Sequence, residues 1–372
     1  MSAASTAWIV SPRYDLFWFF GGAVLSLLAL SLYFGAGIPI VVLWWVWLLA
    51  FDGPHIGAAF TRTYLDRDEW HHRRGVLLTG LAVFLIGPTC LILNVAAGSP
   101  QPFLLYLGAA TLYGYYHVVR QHYGFLALYK ARGRDYSREH FHTDKWFLYA
   151  GCWLPYIYLL LTHPSARRLI GLKGMPAGIE QTGATILVSM WGAAVVLFIA
   201  RTLVQDRSRF RRPPVLYVLL TVLLYGLTYF GVAHYEPVYA QSQGPDQDFL
   251  LISVLIVIFH NVQYFGLVWF HNRNRYGSAA EDFGLATAVN RSFGRYAMLC
   301  LGFSGVVYFL FAAMTGVFPH FQLFVNSRFG AITASQIGLC LWWGLAINHY
   351  YIDQKIWRVR GDATLKRNLE LA

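Results

Sequence analysis

Four stretches of this chain set ionisable side chains inside otherwise apolar runs. They are Phe51-Asp52-Gly53-Pro54-His55, Tyr115-Tyr116-His117-Val118-Val119-Arg120-Gln121-His122-Tyr123-Gly124, Phe259-His260-Asn261-Val262-Gln263-Tyr264 and Asn348-His349-Tyr350-Tyr351-Ile352-Asp353. Imidazole, carboxylate and guanidinium groups are costly in hydrocarbon unless paired or metal-bound, so there they mark function. The candidate metal ligands are His55, His117, His122, His260 and His349. Asp52, Arg120, Tyr264 and Asp353 are the candidate catalytic residues beside them.

The spacings fit helical geometry. Asp52 and His55 are three apart and His349 and Asp353 four apart, so each pair shares a helix face. A carboxylate one turn from a ligating imidazole can orient it. Gly53-Pro54 predicts a break in the helix and a freed carbonyl. His260 and Tyr264 share a face. His117 and His122 are about 140° apart around a helix, so one of them serves a single metal and the other has a different role.

Three chemistries suit such a layer of imidazoles. Non-haem iron takes three or four histidines, with or without a carboxylate, and leaves a position open for oxygen. Haem takes one or two histidines. A proton-coupled transporter uses His/Asp chains as relays. Non-haem iron accounts best for the number of imidazoles and their common depth. Copper and zinc also accept imidazole.

The elements that carry these residues are membrane helices. Of 372 residues, 57% are hydrophobic and only 13% charged, with a mean hydropathy of +0.45. Soluble domains carry about 25% charged residues. The composition therefore predicts an all-α, polytopic helical bundle forming one domain. Ten spans reach the length a bilayer needs: residues 16–34, 38–60, 76–97, 103–129, 146–162, 183–200, 215–233, 249–271, 296–315 and 336–357.

With ten spans, 24 of the 29 Lys and Arg fall on one side, counting Lys355 in the last turn of the tenth span, and 4 on the other; Arg120 lies in the interior of a span. The basic side is expected to be cytoplasmic, with both termini there, in the cell inner membrane. The net charge of +11 thus reports basic loops and not a nucleic-acid surface. The four cysteines sit in apolar runs without a CxxC, which reads as packing rather than a disulfide framework. His71, His72, His140 and His142 fall in the basic loops.

Spans 2, 4, 8 and 10 all run toward the basic side. Each carries its histidines roughly 10–20 Å from that end. If these spans are neighbours, the imidazoles converge. A lipophilic substrate would then enter from the bilayer.

Two of the motifs resemble a known family. Gly53-Pro54-His55-Ile56-Gly57 is similar to the G-x-P-H-G element of the Brp/Blh family, the membrane β-carotene 15,15'-dioxygenases. His122-Tyr123-Gly124 resembles that family's H-F-G element, and Phe259-His260 the start of its F-H-x-x-x-H element. The resemblance implies a non-haem iron held by these histidines and a carotenoid split to retinal. The second histidine of the last element is Tyr264 here, and His349 is the residue able to replace it as a ligand.

Overall fold

The computed structural model describes residues 8–135, 137–169, 171, 174, 176–234, 245–277, 281–315, 324 and 327–371. Ten long helices stand where the ten spans are expected. They are α1 (Pro12–Ala36), α2 (Ile40–Arg62), α3 (Arg74–Ala97), α4 (Gln101–Arg132), α5 (Arg138–Thr162), α6 (Ala177–Gln205), α7 (Pro213–His234), α8 (Pro245–Tyr276), α9 (Phe293–Thr315) and α10 (Ala334–Ile356). Among the described residues the only strands are Arg328–Phe329 and Ile332–Thr333, which pair antiparallel.

Seven of the ten are long and apolar enough to cross a membrane: α1, α2, α3, α6, α7, residues Leu250–Tyr276 of α8, and α9. They mark a multi-pass membrane protein. The other three fall short of that hydropathy because of what they carry. Helix α4 bears His117, Arg120, Gln121, His122 and a basic last turn, and α10 bears Asn348, His349 and Asp353. Helix α5 opens with a charged segment, Arg138 to Lys145. Large apolar side chains such as Phe17, Ile92, Leu105, Leu197 and Val204 are exposed, which suits helices whose solvent is hydrocarbon.

Two segments read as loop from the sequence are helical. Helix α5 begins at Arg138 rather than near 146, because Ser137 caps it by accepting from the His140 amide and Glu139 lies in its first turn. His140 and His142 are therefore helical. His71 and His72 lie on a short helix, Arg67–His72, capped by the Asp66 carboxylate.

The chain divides into two compact units, residues 1–44 with 116–263 and residues 45–115 with 264–372. Helices α2, α4 and α8 contribute residues to both.

In the first unit α5 is the central support for α6 and α7. Phe147 stacks on Phe198 of α6, with ring centroids 4.0 Å apart. A Cβ at Gly151 would come 2.3 Å from Val222, so glycine lets α5 approach α7 closely. A buried ion cluster pins the helix ends. Asp144 lies 2.6 Å from Lys130 Nζ and 2.7 Å from Arg209, and Lys130 also reaches Asp135 at 2.7 Å.

In the second unit α9 packs against α2, and α10 packs against α3 and α9. The contact of α2 with α9 rests on Gly53, whose added Cβ would lie 2.1 Å from Ser304 Oγ. Residues Leu48–Asp52 form a wide turn in which the Gly53 amide reaches back to the Leu48 carbonyl. The freed Leu49 carbonyl accepts from Ser304 Oγ at 2.8 Å. The break predicted at Gly53-Pro54 thus takes the form of a π-type widening, with its loose carbonyl satisfied by a neighbouring helix. At the basic end, Arg275 pairs with Asp66 at 2.9 Å and Asp68 at 2.7 Å. Arg62 is 2% exposed, donates to the Ile356 carbonyl at 2.8 Å and stacks on Trp357 at 3.7 Å.

Candidate metal centre

Each unit brings one pair of histidines together. In the first, His117 of α4 and His260 of α8 face each other, with ring centroids 5.1 Å apart and planes at 79°. Both are buried. Gln121, one turn after His117, donates from Nε2 to the His260 carbonyl at 2.8 Å. That bond fixes the height of α8 against α4 at the histidine itself.

In the second unit His55 of α2 and His349 of α10 are closer, at 4.2 Å between centroids and 78° between planes. Both are buried. The wide turn at Leu48–Asp52 ends three residues before His55, so the helix is re-aimed just ahead of the imidazole. Tyr264 packs edge-on against both rings, 4.9 Å from His55 and 5.0 Å from His349.

The four histidines each offer one ring nitrogen, and these nitrogens all lie within 4.8 Å of one another. Four imidazole nitrogens arranged tetrahedrally around one ion, at bonds of about 2.1 Å, stand about 3.4 Å apart. A bound ion would draw the nitrogens closer together than they stand here. Four buried histidines this close could hold a metal ion. An all-imidazole donor set suits iron, copper, zinc or nickel alike, so it does not by itself name the ion.

Of the five expected ligands, His122 is the one left out. It is fully buried, but its Nδ1 lies 2.7 Å from the Tyr217 hydroxyl. Tyr217 in turn donates to Gln263 Oε1 at 3.3 Å, and Gln263 Nε2 donates to the Phe19 carbonyl at 3.0 Å. The carbonyl fixes which way the amide points, the amide fixes the hydroxyl, and the hydroxyl leaves His122 as the donor at Nδ1. The physical reason for the correction is the angle around α4: His117 is turned to His260, and His122 to α7.

The aspartates divide their tasks. Asp353 accepts from the Tyr264 hydroxyl at 2.6 Å, and its other oxygen lies 3.6 Å from His349 Nε2. This is the one-turn arrangement expected from the sequence. Asp52 instead accepts from the Tyr308 hydroxyl, which itself takes a hydrogen bond from Trp342 Nε1 at 3.2 Å.

Arg120 is a second correction. It is exposed rather than turned into the buried layer, donating to the Tyr149 hydroxyl at 2.9 Å and lying 4.8 Å over the Tyr123 ring. Those two partners are what make its charge tolerable there.

Sequence reasoning missed Tyr217, Tyr308 and Ser304. Each sits on α7 or α9, outside the four histidine-bearing stretches, where a lone hydroxyl gives no signal of its own. No protein-family model matches the chain, and neither a curated protein nor a solved structure matches it.

Proposed function

We propose that this chain is a non-haem iron oxygenase of the cytoplasmic membrane, acting on a lipophilic substrate such as a carotenoid, isoprenoid or lipid. The observation that carries this reading is the group of four buried histidines with nitrogens within 4.8 Å of one another. His55, His117, His260 and His349 would hold one iron, and the bound ion would supply the activation of dioxygen. The local resemblance of Gly53-Pro54-His55 and Phe259-His260 to the Brp/Blh elements supports iron and a carotenoid-like substrate. The asymmetry of 24 to 4 basic residues supports a site in the cytoplasmic half of the membrane.

The chain's own residues do the positioning. Gln121 holds the His260 backbone. Tyr264 fills the space beside His55 and His349 and so excludes water there. The exposed apolar faces keep the surroundings open to a substrate dissolved in the bilayer.

The test is metal analysis of the purified protein, with His55→Ala and His349→Ala alongside. One iron per chain in the wild type, lost in both variants, is the expected result. A metal-free wild type that converts a lipophilic substrate at full rate would sink the reading.

A further inference from the structure

The carboxyl group of Asp353 is shared between two partners. Its Oδ1 accepts the Tyr264 hydroxyl at 2.6 Å, and its Oδ2 lies 3.6 Å from Nε2 of His349, one helical turn back on α10. All three side chains are buried. The Tyr264 ring is also wedged against the His349 ring, at 5.0 Å and 90°. One residue thus fixes the carboxyl with its hydroxyl and restrains the imidazole with its ring.

An imidazole that binds a metal with one nitrogen donates a hydrogen bond from the N–H of the other to a carboxylate, carbonyl or water. That second contact decides which nitrogen is left for the ion. Here the carboxyl oxygen stands 3.6 Å from Nε2, longer than a formed hydrogen bond, and is the acceptor placed to take its N–H when a metal holds the ring. We infer that Tyr264 and Asp353 select the ligating nitrogen of His349: Nε2 keeps its proton toward Asp353, and Nδ1 meets the metal. This rests on the metal reading above and deepens it. Tyr264 is a positioning residue in this scheme, acting through Asp353 and never touching the ion. The alternative, in which Tyr264 only fills space, predicts that its hydroxyl is dispensable.

The test uses the whole protein loaded with Zn(II), a diamagnetic probe, and labelled with nitrogen-15 in its histidine rings. His349 signals are assigned by their loss in His349→Gln. In the wild type the zinc-shifted nitrogen of His349 should be Nδ1, with a slowly exchanging proton on Nε2. Tyr264→Phe keeps the ring and removes only the hydroxyl. It should speed exchange of that proton and weaken zinc binding by roughly 10–100-fold, as should Asp353→Asn. Zinc bound through Nε2 of His349 in the wild type would overturn the inference and leave the metal site standing. So would unchanged exchange and affinity in Tyr264→Phe. A wild type that takes up no zinc or iron would overturn both.

Discussion

His117 and His260 meet nearly at right angles across 5.1 Å, while His122, five residues further along the same helix, is tied to Tyr217 at 2.7 Å. The two histidines of α4 therefore answer differently to removal. His117→Ala should abolish stoichiometric metal binding. His122→Ala should retain one metal per chain, with lower stability from the lost Tyr217 contact. Metal content measured per chain on the two variants separates them, and equal loss in both would contradict the assignment.

Asp144 lies between Lys130 and Arg209 at 2.6 and 2.7 Å with no exposed side-chain surface. Replacing it by Asn takes the carboxylate partner from the buried Arg209 and leaves Lys130 with Asp135 alone. Losing one partner of a buried ion pair costs about 3–5 kcal/mol. Asp144→Asn should lower the thermal midpoint in detergent sharply, or prevent recovery of folded protein. A midpoint within a degree or two of the wild type would show that the cluster is unimportant to stability.

The close approach of α2 and α9 is equally exposed to test. Gly53→Ala would place a methyl 2.1 Å from Ser304 Oγ, and overpacking of this kind costs about 1–3 kcal/mol. Combining it with Ser304→Gly should restore part of the loss, because the clashing atoms are those of Ser304. Denaturation of the single and double variants in detergent gives the comparison. No recovery in the double variant would mean that the strain lies elsewhere.

Asp135, between α4 and α5, bears on acid stability. Burial works to raise its carboxyl, but the hydrogen bond and charge of Lys130, 2.7 Å away, outweigh that and hold it below its ordinary value of 3.8. A carboxyl lowered in the folded state contributes stability above its unfolded value and loses it as pH falls through the folded one. The wild type should therefore lose stability as pH drops below about 4. Asp135→Asn should be less stable at neutral pH and show a shallower fall over that range. Thermal midpoints at several pH values check the slope.

The helices were readable because their cause is local. Apolar runs of bilayer length, separated by loops of which every second one is rich in arginine and lysine, place all ten. Asp353 was readable for the same reason, since four residues on a helix bring it beneath His349. The choice between His117 and His122 was not readable. It turns on which helix stands beside each face of α4, a matter of packing between residues far apart in the chain, His122 with Tyr217 and His117 with His260. The start of α5 was misjudged because charge was read as loop, whereas a Ser137 cap begins a helix regardless of hydropathy. The Tyr308 partner of Asp52 lies 256 residues away and leaves no local trace.

The wide turn at Leu48–Asp52 amounts to a one-residue insertion in α2. Each residue of an α-helix turns the chain by about 100°. Deleting one residue from this turn would make the helix more regular, yet it would swing His55 by that angle relative to the turns before it, or shift Gly53 off Ser304. The irregularity acts as a phase setting. It lets one helix obey two incompatible packing registers in succession, and the residue that profits is the histidine that follows.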